Sequence, residues 1–140
     1  MTEEMKKVPV DVIEGIGPKM AEKLEAAGIK TTRDLLEAGR TPSGRAEIAE
    51  KTGISEKSIL EWVEDADLTR IKGVSEEYSD LLDESGIKDV VDLASKNAES
   101  LHAKIMEVNA EKKLVRRPPS VKEVTKWIDQ AKTLPKIIEY

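Results

Sequence analysis

Apolar residues recur along this chain at steps of three and four, and no stretch alternates apolar with polar residues as a half-buried strand would. That rhythm predicts eight α-helices, over 18–27, 32–38, 42–52, 55–66, 75–85, 89–95, 98–108 and 120–132. In the first, Met20, Ala21, Leu24 and Ala27 share a face; in the fourth, Ile59, Trp62 and Val63 do, with Ile54 just ahead. Helix starts are marked too: Thr41 precedes Pro42, and Ser55 and Ser120 each lead a first turn containing glutamate. Residues 8–13 suggest one further short helix. Residues 1–7 are expected to fray, and 134–140 form a tail whose order the pattern does not set. The predicted class is all-α.

The pattern also repeats. Ile13, Gly15, Leu24, Gly28 and Leu35 match Ile71, Gly73, Leu82, Gly86 and Leu93 at a constant offset of 58, without gaps. Trp62, Val63 and Ala66 match Trp127, Ile128 and Ala131 at an offset of 65, which leaves seven extra residues between, placed near 109–119. Two tandem four-helix repeats follow, 1–69 and 70–140, the second carrying a Pro-containing insertion. Asp67-Leu68-Thr69-Arg70 is too short a join to act as a free linker. One pseudo-twofold body is therefore expected.

The first repeat opens on Gly15-Ile16-Gly17-Pro18-Lys19. Two glycines make a tight corner, and Pro18 suits the first helical position, where an N–H is not needed. Gly28 is placed to end that helix as a left-handed cap, with Ile29 folding back on it. A helix start beside a glycine turn leaves backbone N–H groups pointing outward, a geometry suited to phosphate. The stretch G-I-G-P-K-x-A-x-x-L-x-x-x-G-I resembles the helix-hairpin-helix motif of DNA repair and recombination proteins. Over nearly the whole chain the sequence is similar to a prokaryotic family of tandem helix-hairpin-helix-like (SAM-domain-like) domains of unassigned function. That wider likeness rests on I-E-G-I-G-P-K, on T-G-I-S-E-K-x-I-L-E-W-V and on L-V-R-R-P-P-S at 114–120. The resemblance implies that Gly15, Ile16, Gly17 and Lys19 grip backbone phosphates without reading bases. The second corner departs from it, with Ser75 for the second glycine and Glu76-Glu77 for Pro18-Lys19. Carboxylates there favour the helix start but repel phosphate, so this corner reads as structural.

Composition narrows the choice. A chain of 140 residues buries about two-thirds of its unfolded surface and needs no staples. The absence of cysteine excludes disulfides, thiolate chemistry and Cys-zinc sites. No apolar run nears the roughly 20 residues of a membrane span, and M-T-E-E-M-K-K lacks a secretion signal, so a soluble, cytoplasmic protein is expected. A net charge of −5 weighs mildly against a dedicated nucleic-acid binder, but residues 103–140 hold nine Lys and Arg against five Asp and Glu. Within them Lys112, Lys113, Arg116 and Arg117 precede Pro118-Pro119, which stiffens the segment and prevents helix. This strip is either a secondary phosphate or acidic-partner site, or a solvated loop paired with acidic residues of the first repeat.

Other chemistry finds little support. Residues 49–62 have helix-turn-helix spacing, yet the would-be reading helix shows Glu56, Glu61, Glu64 and Asp65 against Lys57 alone, the wrong sign for DNA. His102 is the only histidine, so no metal site is expected. The carboxylates fall at solvent-face spacing, and none pairs as acid and base. The Gly-x-Gly turn follows no strand, so it is not a dinucleotide fingerprint. The reading is a non-catalytic, cofactor-free binder of DNA or RNA backbone. Its rival is an adaptor that holds another protein and no nucleic acid.

Overall fold

The structure, a computed structural model, describes residues 9–13 and 15–140. Among these the chain is all-helical: α1 Pro18–Ala26, α2 Thr32–Ala38, α3 Pro42–Thr52, α4 Glu56–Leu68, α5 Glu76–Glu84, α6 Val90–Ala94, α7 Ala98–Lys112 and α8 Val121–Ala131. The short helix expected over 8–13 is a single 3-10 turn at Val10–Val12. Residue 8 and the expected fraying of 1–7 lie outside the described residues. Helix α7 runs on to Lys112 because Asn109, Ala110, Glu111 and Lys112 continue it without an apolar period to betray them. Lys113, at φ 51, then ends it.

Helix ends follow from local chemistry. Gly28, at φ 88, stops α1, and Ile29 N–H reaches back to Leu24 O at 2.9 Å while Gly28 N–H bonds Glu25 O. Gly86 and Ile87 close α5 through the equivalent bonds, to Asp83 O and Leu82 O. Both are Schellman caps, each tying an apolar residue back over the helix it ends. Thr31 and Ser120 start α2 and α8 with reciprocal capping boxes to Asp34 and Glu123.

Buried apolar side chains form two clusters. One runs from Val10 to Ala66, the other from Leu68 to Ala131. Helix α4 packs on α2 and α3, α8 packs on α6 and α7, and α4 meets α5. Every residue from Trp62 to Arg70 is buried, so α4 leaves one cluster and delivers the chain into the other without surfacing. This corrects the reading of Glu64 and Asp65 as a solvated face: Ser79 of α5 bonds the Asp65 carbonyl and Tyr140 bonds Glu64. Ile54, Ile59, Trp62 and Val63 do lie in the core, as expected.

Segment 134–140 is held in place. Ile138 is 1% exposed and belongs to the first cluster, although the residues before it follow the second. Glu139 N–H donates to Arg40 O at 2.7 Å, and Arg45 Nη2 donates to Glu139 O at 2.7 Å.

Candidate nucleic-acid interface

Of the two glycines in the first corner only Gly15 needs to be one. It sits at φ 96, with room for no more than contact against Trp62 Nε1 at 3.4 Å from an added Cβ. Ile16 is buried, and its N–H donates to Ile13 O at 3.0 Å. Ile16 therefore leaves the expected donor set: its side chain anchors the corner and its amide closes it. Gly17 is the N-cap of α1, in ordinary extended backbone (φ −83, ψ 179), and a Cβ there would meet nothing within 4 Å.

Position 75, which matches Gly17 at the offset of 58, has almost the same backbone (φ −82, ψ 177) and carries serine. Ser75 Oγ accepts from the Tyr78 N–H at 3.4 Å. The other α-helices are likewise capped by side chains, from Thr31, Thr41, Ser55, Asp89, Asn97 and Ser120. Among the described α-helices α1 alone has no side-chain cap. Its Lys19 and Met20 amides precede the first intrahelical donor, the Ala21 N–H that bonds Gly17 O at 2.9 Å, and lie at the positive end of the helix dipole. Lys19 is exposed beside them. Neither conformation nor packing demands glycine at 17, and its bareness gives those donors no side-chain cap.

The basic strip lies elsewhere. Lys113, Arg116 and Arg117 line an open groove of about 700 Å³ with Ser75, Glu77 and Tyr78 of the second corner, and no residue of the first corner takes part. The insertion is firmly folded. Asn109 bonds both the N–H and the carbonyl of Val115, Tyr78 Oη donates to Arg117 O at 2.8 Å, and His102 Nε2 lies 3.0 Å from Pro119 O. Lys112 pairs with Glu84, and Arg117 with Glu123 at 3.4 Å. The positive charge expected of the strip is thus partly matched, by Glu84 and Glu123 and not, as expected, by acids of residues 1–69, and what remains sits against the corner that carries Glu76 and Glu77.

A feature invisible in the sequence is the acid between α4 and α5. Burial, with help from Asp83, Asp80, Glu64 and Glu61, pushes the Asp65 carboxyl up to about 8. Burial and then Glu84, Asp80 and Glu61 push Asp83 up to about 6. Tyr140 Oη lies 2.9 Å from Glu64 Oε2 and 2.8 Å from Asp89 Oδ2. Burial raises Glu64, against the Tyr140 hydrogen bond, which lowers it. A carboxyl that holds its proton more tightly when folded stabilises the protein most below its unfolded pKa, and that contribution is lost as pH rises through the folded value. Stability in metal-free buffer is thus expected to fall between about pH 4 and pH 8, and Asp65→Asn should flatten the fall. Thermal denaturation at intervals across that window tests it; a wild-type curve flat or rising to pH 8 would refute the assignment.

The fold and corner define a class: a small all-helical domain with one uncapped, lysine-flanked helix start. The chain belongs to the family described as Domain of unknown function (DUF4332), which matches residues 14–134. No curated protein and no solved structure matches it. Among the described residues no helix is long and apolar enough to cross a membrane.

Proposed function

We propose that the protein is a cytoplasmic, non-catalytic module that binds the sugar-phosphate backbone of nucleic acid at the first corner, without reading sequence. The Lys19 and Met20 amides and the Lys19 ammonium would hold one phosphate, with Gly15 and Gly17 keeping the approach clear; this is the helix-hairpin-helix mode. The carrying observation is the contrast between Gly17 and Ser75 on one backbone conformation. Where serine stands, the Tyr78 amide is satisfied by the side chain and two glutamates follow. Where glycine stands, no side-chain cap forms and a lysine follows.

Gly17→Ser separates binding from folding. The hydroxyl should take the Met20 amide, raising stability by a few tenths of a kcal/mol while weakening binding. Fluorescence anisotropy of labelled duplex and single-stranded DNA at two salt concentrations provides the readout. One phosphate contact gives a slope of log K against log salt of about −1 on duplex. Gly17→Glu with Lys19→Glu should abolish binding, since position 17 accepts a side chain without strain. Undiminished binding by that pair refutes the proposal. Association with a cellular partner that survives nuclease would favour the adaptor reading.

A further inference from the structure

Asp80, Asp83 and Glu84 stand on one face of α5, and one carboxylate oxygen from each lies within 4.8 Å of the other two. Asp65 looks on from α4. It is 7% exposed, its Oδ1 is buried without a hydrogen-bond partner, and the charges acting on it most are those of Asp83 and then Asp80. Ser79 Oγ, donating to Asp65 O at 3.1 Å, pins the two helices together at this level. Glu61 and Glu64 add to the negative field, and Lys112, bound to Glu84, answers it from the solvent side. An orphaned carboxyl oxygen beside three converging carboxylates is an arrangement that a hydrated cation completes.

We propose that Asp80, Asp83 and Glu84, backed by Asp65, form a binding site for a hard divalent cation, Ca²⁺ in preference to Mg²⁺. The donors are all oxygen, which excludes soft metals. Two ligands of one ion sit at most twice the bond length apart, about 4.8 Å for Ca²⁺ and about 4.2 Å for Mg²⁺. The three oxygens lie within the distance that Ca²⁺ spans, and a half-open site completed by water suits the flexible coordination of Ca²⁺ better than the near-octahedral geometry that Mg²⁺ demands. Water fills the remaining positions, and one such water gives Asp65 Oδ1 its missing donor. With three protein ligands at a half-open site, the dissociation constant belongs at the weak end of the calcium range, about 10⁻⁴–10⁻³ M.

The test uses the full chain, stripped of metal, at fixed pH 7.5. CaCl₂ at ten times its Kd should raise Tm by about 3–5 °C, MgCl₂ by less, and KCl of equal ionic strength by nothing. Asp83→Asn should lose the Ca²⁺-dependent rise while its metal-free Tm is unchanged or higher, because one like charge has left the group. Lys112→Met, which frees Glu84, should tighten Ca²⁺ binding several-fold in calorimetric titration. An equal rise with KCl, a rise retained in Asp83→Asn, or an affinity unchanged in Lys112→Met would each overturn the site.

Discussion

Replacing Asp67 by alanine is expected to cost about 3–5 kcal/mol of folding stability, a large share of the 5–15 kcal/mol typical of a domain. Its carboxylate joins parts of the chain that share no sequence neighbourhood. Oδ1 meets Arg70 Nη1 at 3.0 Å with both side chains fully buried, and Oδ2 accepts from the Val90 N–H at 3.0 Å, starting α6. Burial pushes this carboxyl up, and the Val90 amide and the Arg70 guanidinium pull it back. Alanine would take from a buried guanidinium the carboxylate it bonds and leave a buried amide without an acceptor, losses that cost most in an interior. Asp67→Leu with Arg70→Met should recover part of the loss, because no charge is then stranded. Guanidinium denaturation would show it as a lower midpoint with an unchanged slope. A loss under about 1 kcal/mol would mean that water reaches the pair and that it does not hold the end of α4 to the start of α6.

What could be read in advance was whatever is written locally. Gly28-Ile29 and Gly86-Ile87 announce their caps because a left-handed residue followed by an apolar one has one common use. Thr41-Pro42, Ser55 and Ser120 announce helix starts, and the three-four rhythm announces the all-α class. The acidic end of α4 could not be read so. Glu64, Asp65 and Asp67 look like a solvent face, and their partners come from Val90, Arg70, Ser79 and Tyr140, remote or beyond any periodic element. The corner was half legible. Its glycines stand out in the sequence, but only backbone angles show that Gly15 is required by conformation and Gly17 is not, and only the hydrogen bonds show Ile16 already committed to Ile13. The basic strip was legible as charge and illegible as place, because the turn that sets it against Ser75 depends on Asn109, Tyr78 and His102.

Ile138→Ala is expected to cost about 2–5 kcal/mol, and deleting residues 135–140 more than that. The side chain is almost completely enclosed in the first cluster, with Ile137 packed beside it. Two isoleucines carry no period, so only the backbone path reveals why they are buried. Arg70 Nη1 donates to Pro135 O at 2.9 Å where the segment leaves the second cluster; Arg45 Nη2 and Arg40 O hold Glu139 where it crosses the first. Arg45 also donates to Gly39 O at 2.8 Å, so the segment completes the hydrogen bonding of an arginine that is itself buried. Deletion removes the isoleucine and strips acceptors from both arginines, and these losses fall on different clusters. Unfolding of the truncated chain should therefore lose cooperativity as well as midpoint, seen as Trp62 and Trp127 fluorescence reporting separate transitions when each is monitored in a single-tryptophan variant. Coincident transitions at an unshifted midpoint would show that α4 alone joins the clusters and that the segment merely lies along them.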